Sequence, residues 1–190
     1  MLSVPLLAAL LILTALFMVA ETLGAPVVLN LDFKGDIKRE SRWFAQYGQA
    51  ACTIVVAALV WQLDSHRRTD GRWPAVMLLV AVFGTSIISM LLKRLLGRVR
   101  PGREQAGRFL GPTWRHANYR ESFPSSHSAC AIAMSVILAQ LYPGAVLIFW
   151  ILGITTAVLR YLMDAHWPSD VLGGVALGYA AANLTWLLGA

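Results

Sequence analysis

The chain has 190 residues, of which 57% are hydrophobic and only 14% charged, and its mean hydropathy is +0.61. That balance is too apolar for an ordinary soluble domain, and it excludes an intrinsically disordered, collagen-like or disulfide-stapled chain. The formal net charge of +6 fits nucleic acid, anionic lipid headgroups or a phosphorylated substrate, and the positions of the charges decide between them.

Six apolar runs follow one another: Met1 to Ala20, Trp43 to Leu63, Trp73 to Leu92, Ser126 to Leu141, Ala145 to Leu162 and Val171 to Leu188. A helix of about 20 residues crosses ~30 Å of hydrocarbon, so six spans consume roughly 120 residues and leave short loops. The expected fold is therefore all-α, a polytopic membrane protein built as a six-transmembrane-helix bundle, with residues 1–190 forming a single domain. No Lys or Arg precedes Lys34, and the first run exceeds a signal-peptide core, so it reads as a retained helix. Trp43, Trp61, Trp73, Trp167 and Trp186 fall near run ends, as an interfacial aromatic belt requires. Trp150 sits mid-run and reads as packing.

The fourth run is lined with small residues (Ser128, Ala129, Cys130, Ala131, Ala133, Ser135, Ala139), and the sixth carries Gly173, Gly174 and Gly178. Both read as close-packed central helices, and the Gly174/Gly178 pair serves packing within the bundle or between two copies of the chain. Monomer and homodimer both remain open. Cys52 and Cys130 lie in apolar runs and are expected to be buried thiols.

Two loops are long enough to matter. Glu21 to Arg42 contains the charged stretch Asp32 to Arg42, expected as a short amphipathic helix along the interface. Lys93 to Phe123 holds half of the 16 basic residues and is expected as a mobile rim, with Phe109, Trp114 and Tyr119 at headgroup level. Alternation of the spans brings the end of helix 3, the start of helix 4, the end of helix 5 and the start of helix 6 to one membrane face. Three polar clusters fall at those places.

The first cluster is Lys93-Arg-Leu-Leu-Gly-Arg-Val-Arg100-Pro101. Residues seven apart in a helix fall about 20° from alignment, so a helix continuing to Pro101 aims Lys93 and Arg100 the same way. Alone, the run also fits anionic lipid binding. The second is Ser122-Phe-Pro124-Ser125-Ser126-His127-Ser128, in which Pro124 and the serines mark a helix start, an anion site as well as a capping sequence. The third, Arg160-Tyr-Leu-Met-Asp164-Ala-His166-Trp-Pro168-Ser-Asp170, leaves His166 in a connector and Asp170 about one turn into the last helix. A carboxylate there can orient the imidazole as a base or nucleophile, although a solvated loop with a surface ion pair uses the same residues.

Together the clusters meet the needs of phosphoryl transfer. Lys93, Arg100 and Arg160 neutralise phosphoryl oxygens, while one histidine attacks phosphorus and the other protonates the departing oxygen. His127, His166 and Asp170 lack the carboxylate-rich set that Mg²⁺ or Mn²⁺ prefers, so neither metal nor cofactor is expected.

The spacing Lys-x6-Arg-Pro, then Pro-Ser-x-His, then Arg-x5-His-x3-Asp resembles that of the type 2 phosphatidic acid phosphatase superfamily, and the six-span layout resembles its membrane lipid-phosphatase branch. The resemblance implies a catalytic core at about 93–170. In it His166 is the nucleophile that forms a phosphohistidine, Asp170 holds its imidazole, and His127 is the general acid. It implies that Lys93, Arg100, Ser125 and Arg160 bind phosphoryl oxygens, with the backbone N–H groups of Ser126 and His127 completing the cradle. Two positions depart from the family pattern: Ser126 stands where glycine is usual, and Leu159 where serine is usual.

The implied activity is metal-independent hydrolysis of a lipid phosphomonoester or diphosphate at the bilayer. Undecaprenyl diphosphate, phosphatidylglycerol phosphate, phosphatidic acid and lipid A are all candidate substrates, with isoprenoid diphosphate or glycerophospholipid phosphate favoured by family analogy. The partners expected are lipid phosphate and the bilayer, with no nucleic acid. A lipid phosphotransferase would use the same residues. An anion or lipid transporter would need ionisable groups deep in several helices, where the mid-run positions are almost wholly apolar. A purely lipid-binding protein would have no use for His166 paired with Asp170.

Thirteen of the 16 Lys and Arg residues fall on the site face, which the positive-inside rule assigns to the cytoplasm. Bacterial members of the resembling family usually place the site on the periplasmic or outer face. Because several of these cations are assigned to phosphate, the family expectation is preferred: a bacterial inner-membrane protein with both termini and the Arg67, Arg68, Arg72 loop in the cytoplasm.

Overall fold

The computed structural model describes residues 3–25, 27, 29, 31, 33–64, 73–113, 117–163 and 166–189. Among them seven α-helices follow in order: α1 (Val4–Thr22), α2 (Gly35–Phe44), α3 (Ala50–Asp64), α4 (Trp73–Leu96), α5 (Ser126–Leu141), α6 (Val146–Leu162) and α7 (Pro168–Gly189). Met1, the Arg67, Arg68, Arg72 loop, Trp114 and Asp164 lie outside the described residues. The helices α1, α4 and α7, and α6 with the turn before it, are long and apolar enough to cross a membrane. α3 and α5 are apolar but shorter, with 15 and 16 residues.

The bundle is organised around α5, whose residues 128–138 are all buried. Its small side chains let α4, α6 and α7 approach on different sides, so that apolar burial and close backbone contact replace long side chains. The seam with α7 shows how. A Cβ added to Gly174 would stand 2.5 Å from the Ser125 carbonyl oxygen, and one added to Gly178 would meet the carbonyl of Ala129. The Gly174/Gly178 pair is therefore used inside the chain. Trp150 packs against the core beside Tyr179, with ring centroids 6.5 Å apart, and Cys52 and Cys130 are free thiols, half-buried and buried.

The second apolar run departs from expectation. Trp43 lies in the last turn of α2 instead of opening a span, and α3 begins only at Ala50. Between them the chain turns at Gly48, whose φ of +80° is left-handed and whose Cα lies against the Ala131 backbone, too close for any side chain. The amphipathic helix expected within Asp32 to Arg42 is α2, with Ile37, Trp43 and Phe44 exposed and Arg39 paired to Asp36 at 3.0 Å.

Candidate active site

The end of α4, the start of α5, the end of α6 and the start of α7 meet at one end of the bundle, where α1 also ends. Lys93 lies in the last turn of α4, buried, and its Nζ donates to the Glu121 carbonyl at 3.0 Å. The helix does not continue to Pro101 as expected. Gly97, at φ +61°, turns the chain out after Leu96, and its Cα touches the Gly111 carbonyl, where a side chain has no room. Arg100 reaches the same place by another route: its Nε donates to the Asn118 carbonyl at 2.8 Å and its Nη2 to that of Glu121 at 3.4 Å. Its pKa is lowered by burial.

The loop expected as a mobile rim is knit by backbone bonds in its described part. Val99 N–H donates to Arg108, Gly107 N–H to Val99, Arg100 N–H to Tyr119 and Ser122 N–H to Arg98. Phe109 is partly exposed but packs edge-on to Phe123 at 6.3 Å, while Tyr119 is exposed.

Ser125 is the N-cap of α5, in extended conformation, as the Pro-Ser-Ser signal predicts. Its hydroxyl makes no capping bond and instead accepts from the Ser128 hydroxyl at 2.9 Å. Its N–H donates to the Asp170 carbonyl at 2.9 Å, which ties the start of α5 to α7. The Ser126 hydroxyl, the departure from glycine, is 2.7 Å from the Ser89 hydroxyl of α4. The N–H groups of Ser126 and His127 lie in the first helical turn, where an α-helix supplies no acceptor.

His166 sits between α6 and α7, 1% exposed, with its Nδ1 3.6 Å from Asp170 Oδ2. The carboxylate is otherwise fully engaged. Oδ2 accepts from the Ser122 hydroxyl at 2.5 Å and from the Trp167 N–H at 2.9 Å, and Oδ1 accepts from Arg98 Nη1 at 2.6 Å. Burial, foremost, and the charges of Lys93 and Arg100 push the His166 pKa down from 6.5 to about 4, against the upward pull of Asp170. The imidazole is thus neutral at physiological pH, and a neutral ring keeps a lone pair on one nitrogen.

Arg160, in the last turn of α6, has its Nε buried without a hydrogen-bond partner. His127 lies within electrostatic reach of Arg160, His166, Lys93 and Arg100. All eight sequence candidates, Lys93, Arg100, Ser125, Ser126, His127, Arg160, His166 and Asp170, stand at this end of the bundle. Cationic donors, a helix N-terminus and a carboxylate-linked imidazole so arranged can bind a tetrahedral oxyanion and attack it.

Four further residues complete this end of the bundle, and the sequence motifs give none of them a role there. Arg98 is wholly buried and bridges Asp170 to Glu21 of α1, while Ser122 holds the far oxygen of Asp170. Trp167, expected in the interfacial belt, donates from its indole N–H to the Val99 carbonyl at 3.1 Å and faces Arg98 at 5.5 Å. An acidic residue at the end of an apolar run is costly without a partner, and that is the one sequence signal that points to Glu21.

Comparison with known proteins bears on this end of the bundle. The chain is 36% identical over 108 residues to a lipid A 1-phosphatase of Rhizobium etli, covering 56% of this chain and 46% of that protein. It is 27% identical over 144 residues to an undecaprenyl-diphosphatase of Sulfolobus acidocaldarius, covering 72% and 63%. The chain thus spans about half the length of the Rhizobium lipid A 1-phosphatases it matches. The fold is similar to that in the crystal structure of a transmembrane PAP2 type phosphatidylglycerolphosphate phosphatase from Bacillus subtilis, with a TM-score of 0.67 at 20% identity over 96% of this chain and 94% of that one. The PAP2 superfamily model matches residues 74–190, more than half of the chain and all of the candidate site, and the chain belongs to that superfamily.

Proposed function

We propose that the protein is an integral membrane phosphatase that hydrolyses a phosphomonoester or diphosphate carried by a lipid, through a phosphohistidine on His166. The observation that carries this reading is the neutral, carboxylate-linked His166 at the bundle end that also gathers Lys93, Arg100, Arg160 and the N-terminus of α5.

In the first step Nε2 of His166 attacks phosphorus and the bond to the lipid oxygen breaks, while His127, charged once the bound anionic phosphate offsets the surrounding cations, gives that oxygen its proton. The Nδ1 proton stays between His166 and Asp170, whose negative charge offsets the positive charge growing on the ring. Lys93, Arg100 and Arg160, the Ser125 hydroxyl and the N–H groups of Ser126 and His127 hold the non-bridging oxygens. Water then attacks the phosphohistidine, His127 takes a proton from it, and inorganic phosphate leaves with His166 restored. No metal enters these steps.

The lipid reading draws on the apolar surface and on a groove of about 1010 Å³ beside α2 and α3, lined by Lys38 and Arg42 together with Trp43, Cys52 and Val55. Lipid A and undecaprenyl diphosphate are the substrates that the names of the sequence relatives suggest; glycerophospholipid phosphates stay in the panel on family analogy. In this reading α3 and α5 also cross the bilayer, giving six spans. The site then faces the periplasm of a bacterial inner membrane, and a C-terminal reporter located outside the cytoplasm would overturn that orientation.

The test is phosphate release from a panel of undecaprenyl diphosphate, phosphatidylglycerol phosphate, phosphatidic acid and lipid A in detergent micelles, with and without a chelator. At least one lipid should be hydrolysed equally well in both conditions, and His166→Ala should abolish release while remaining folded. Robust turnover by that variant excludes the phosphohistidine.

A further inference from the structure

Arg98 is the centre of a buried ionic chain that begins on α1. Its Nη2 donates to Glu21 Oε2 at 2.6 Å and its Nη1 to Asp170 Oδ1 at 2.6 Å, and all three side chains are at most 1% exposed. Ser169 closes the loop: its hydroxyl donates to Glu21 Oε2 at 2.5 Å and accepts from Arg98 Nη1 at 2.6 Å, while its N–H donates to Glu21 Oε1 at 3.0 Å. Phe109 and Trp167 cover the guanidinium at 5.2 and 5.5 Å.

We propose that Glu21 is a positioning residue of the active site, acting through Arg98 to fix the Asp170 carboxylate against His166, so that α1 belongs to the catalytic machinery. The inference rests on the phosphatase reading of His166 and Asp170. Two physical arguments carry it. The guanidinium is a rigid planar fork, so anchoring one arm on α1 sets the direction of the other. With Oδ1 pinned in this way, Oδ2 is left turned to Ser122, Trp167 and His166.

Charge acts in the same direction. Arg98 and Asp170 alone form a neutral pair, and a neutral pair stabilises a nascent imidazolium weakly. Glu21 makes the buried cluster net negative beside the ring on which positive charge grows as Nε2 attacks. Glu21 also caps α7 through the Ser169 N–H, a structural role that must be separated from the catalytic one.

The variants Glu21→Gln, Glu21→Asp, Arg98→Lys and His166→Ala are compared in the full-length protein in detergent micelles. Phosphate release is measured on the panel lipid that the unaltered protein turns over fastest, together with thermal midpoints. Glutamine keeps an oxygen for the Ser169 N–H but loses the charge. The expected result is a kcat lower by about 10- to 100-fold with KM within about twofold for Glu21→Gln, and partial recovery in Glu21→Asp.

A kcat in Glu21→Gln equal to that of the unaltered protein overturns the proposal. So does a loss that Glu21→Asp shares in full with a fallen midpoint, or failure of both Glu21 variants to fold, since either assigns Glu21 to structure alone. If His166→Ala still releases phosphate, the phosphatase reading itself falls. If only His166→Ala is inactive, that reading stands and the role of Glu21 does not.

Discussion

His166 Nδ1 faces Asp170 Oδ2 across 3.6 Å, one helical turn apart in sequence, with both side chains closed to solvent. The separation is slightly longer than a hydrogen bond, and Nδ1 has no other partner. A shift of about 0.5 Å makes the bond. The positive charge that develops on the ring during attack supplies the attraction for it.

Asp170→Asn tests that pairing. An amide cannot accept from Ser122, Trp167 and Arg98 on both of its heavy atoms, so one donor faces another donor in either orientation. We expect kcat to fall by about 10³-fold and the thermal midpoint to drop, as steady-state kinetics and thermal unfolding in micelles will show.

The ionisation of His166 gives a pH prediction. Its pKa lies at about 4 in the folded protein against 6.5 unperturbed, so the unfolded chain binds the proton more readily between those values. Stability contributed by the neutral imidazole is complete above about pH 6.5 and is lost as pH falls toward 4. Nitrogen-15 NMR of labelled protein should place the ring's titration midpoint near 4. A midpoint near 6.5 would show that the ring is solvated.

Ser126 separates side-chain from backbone chemistry. Ser126→Gly removes the contact with Ser89 but keeps the N–H, so kcat/KM should stay within about fivefold. Ser126→Pro also suits the first helical position, and Ser125 before it is already extended. It deletes the N–H, and kcat/KM should fall by roughly 10- to 100-fold with the helix intact by circular dichroism. Equal rates in the two variants would remove that N–H from the phosphate cradle.

Gly178→Ala should destabilise without touching the chemistry. The added methyl meets the Ala129 carbonyl of α5, and overpacking of this kind costs about 1–3 kcal/mol. A lowered thermal midpoint with unchanged oligomeric state by light scattering is the expected outcome. Dissociation of a dimer would instead show that the packing of α7 on α5 also supports an interface between two chains.

The sequence by itself determined the local features: apolar runs, the serine-proline start of α5, Pro168 at the start of α7, and the small-residue stripes on α5 and α7. Each depends on residues within a few positions of one another, so pattern alone reveals it. Alternation of the spans also brought the eight candidate site residues to one end of the bundle.

Only the tertiary structure decided what those residues meet. The turn at Gly48 is set by the Ala131 backbone and the break at Gly97 by the Gly111 carbonyl, contacts between segments far apart in the chain. The Glu21–Arg98–Asp170 chain joins residues 77 and 72 positions apart, and no local period encodes such a pairing. Burial makes it decisive, because a guanidinium removed from water must find its carboxylates wherever the fold brings them.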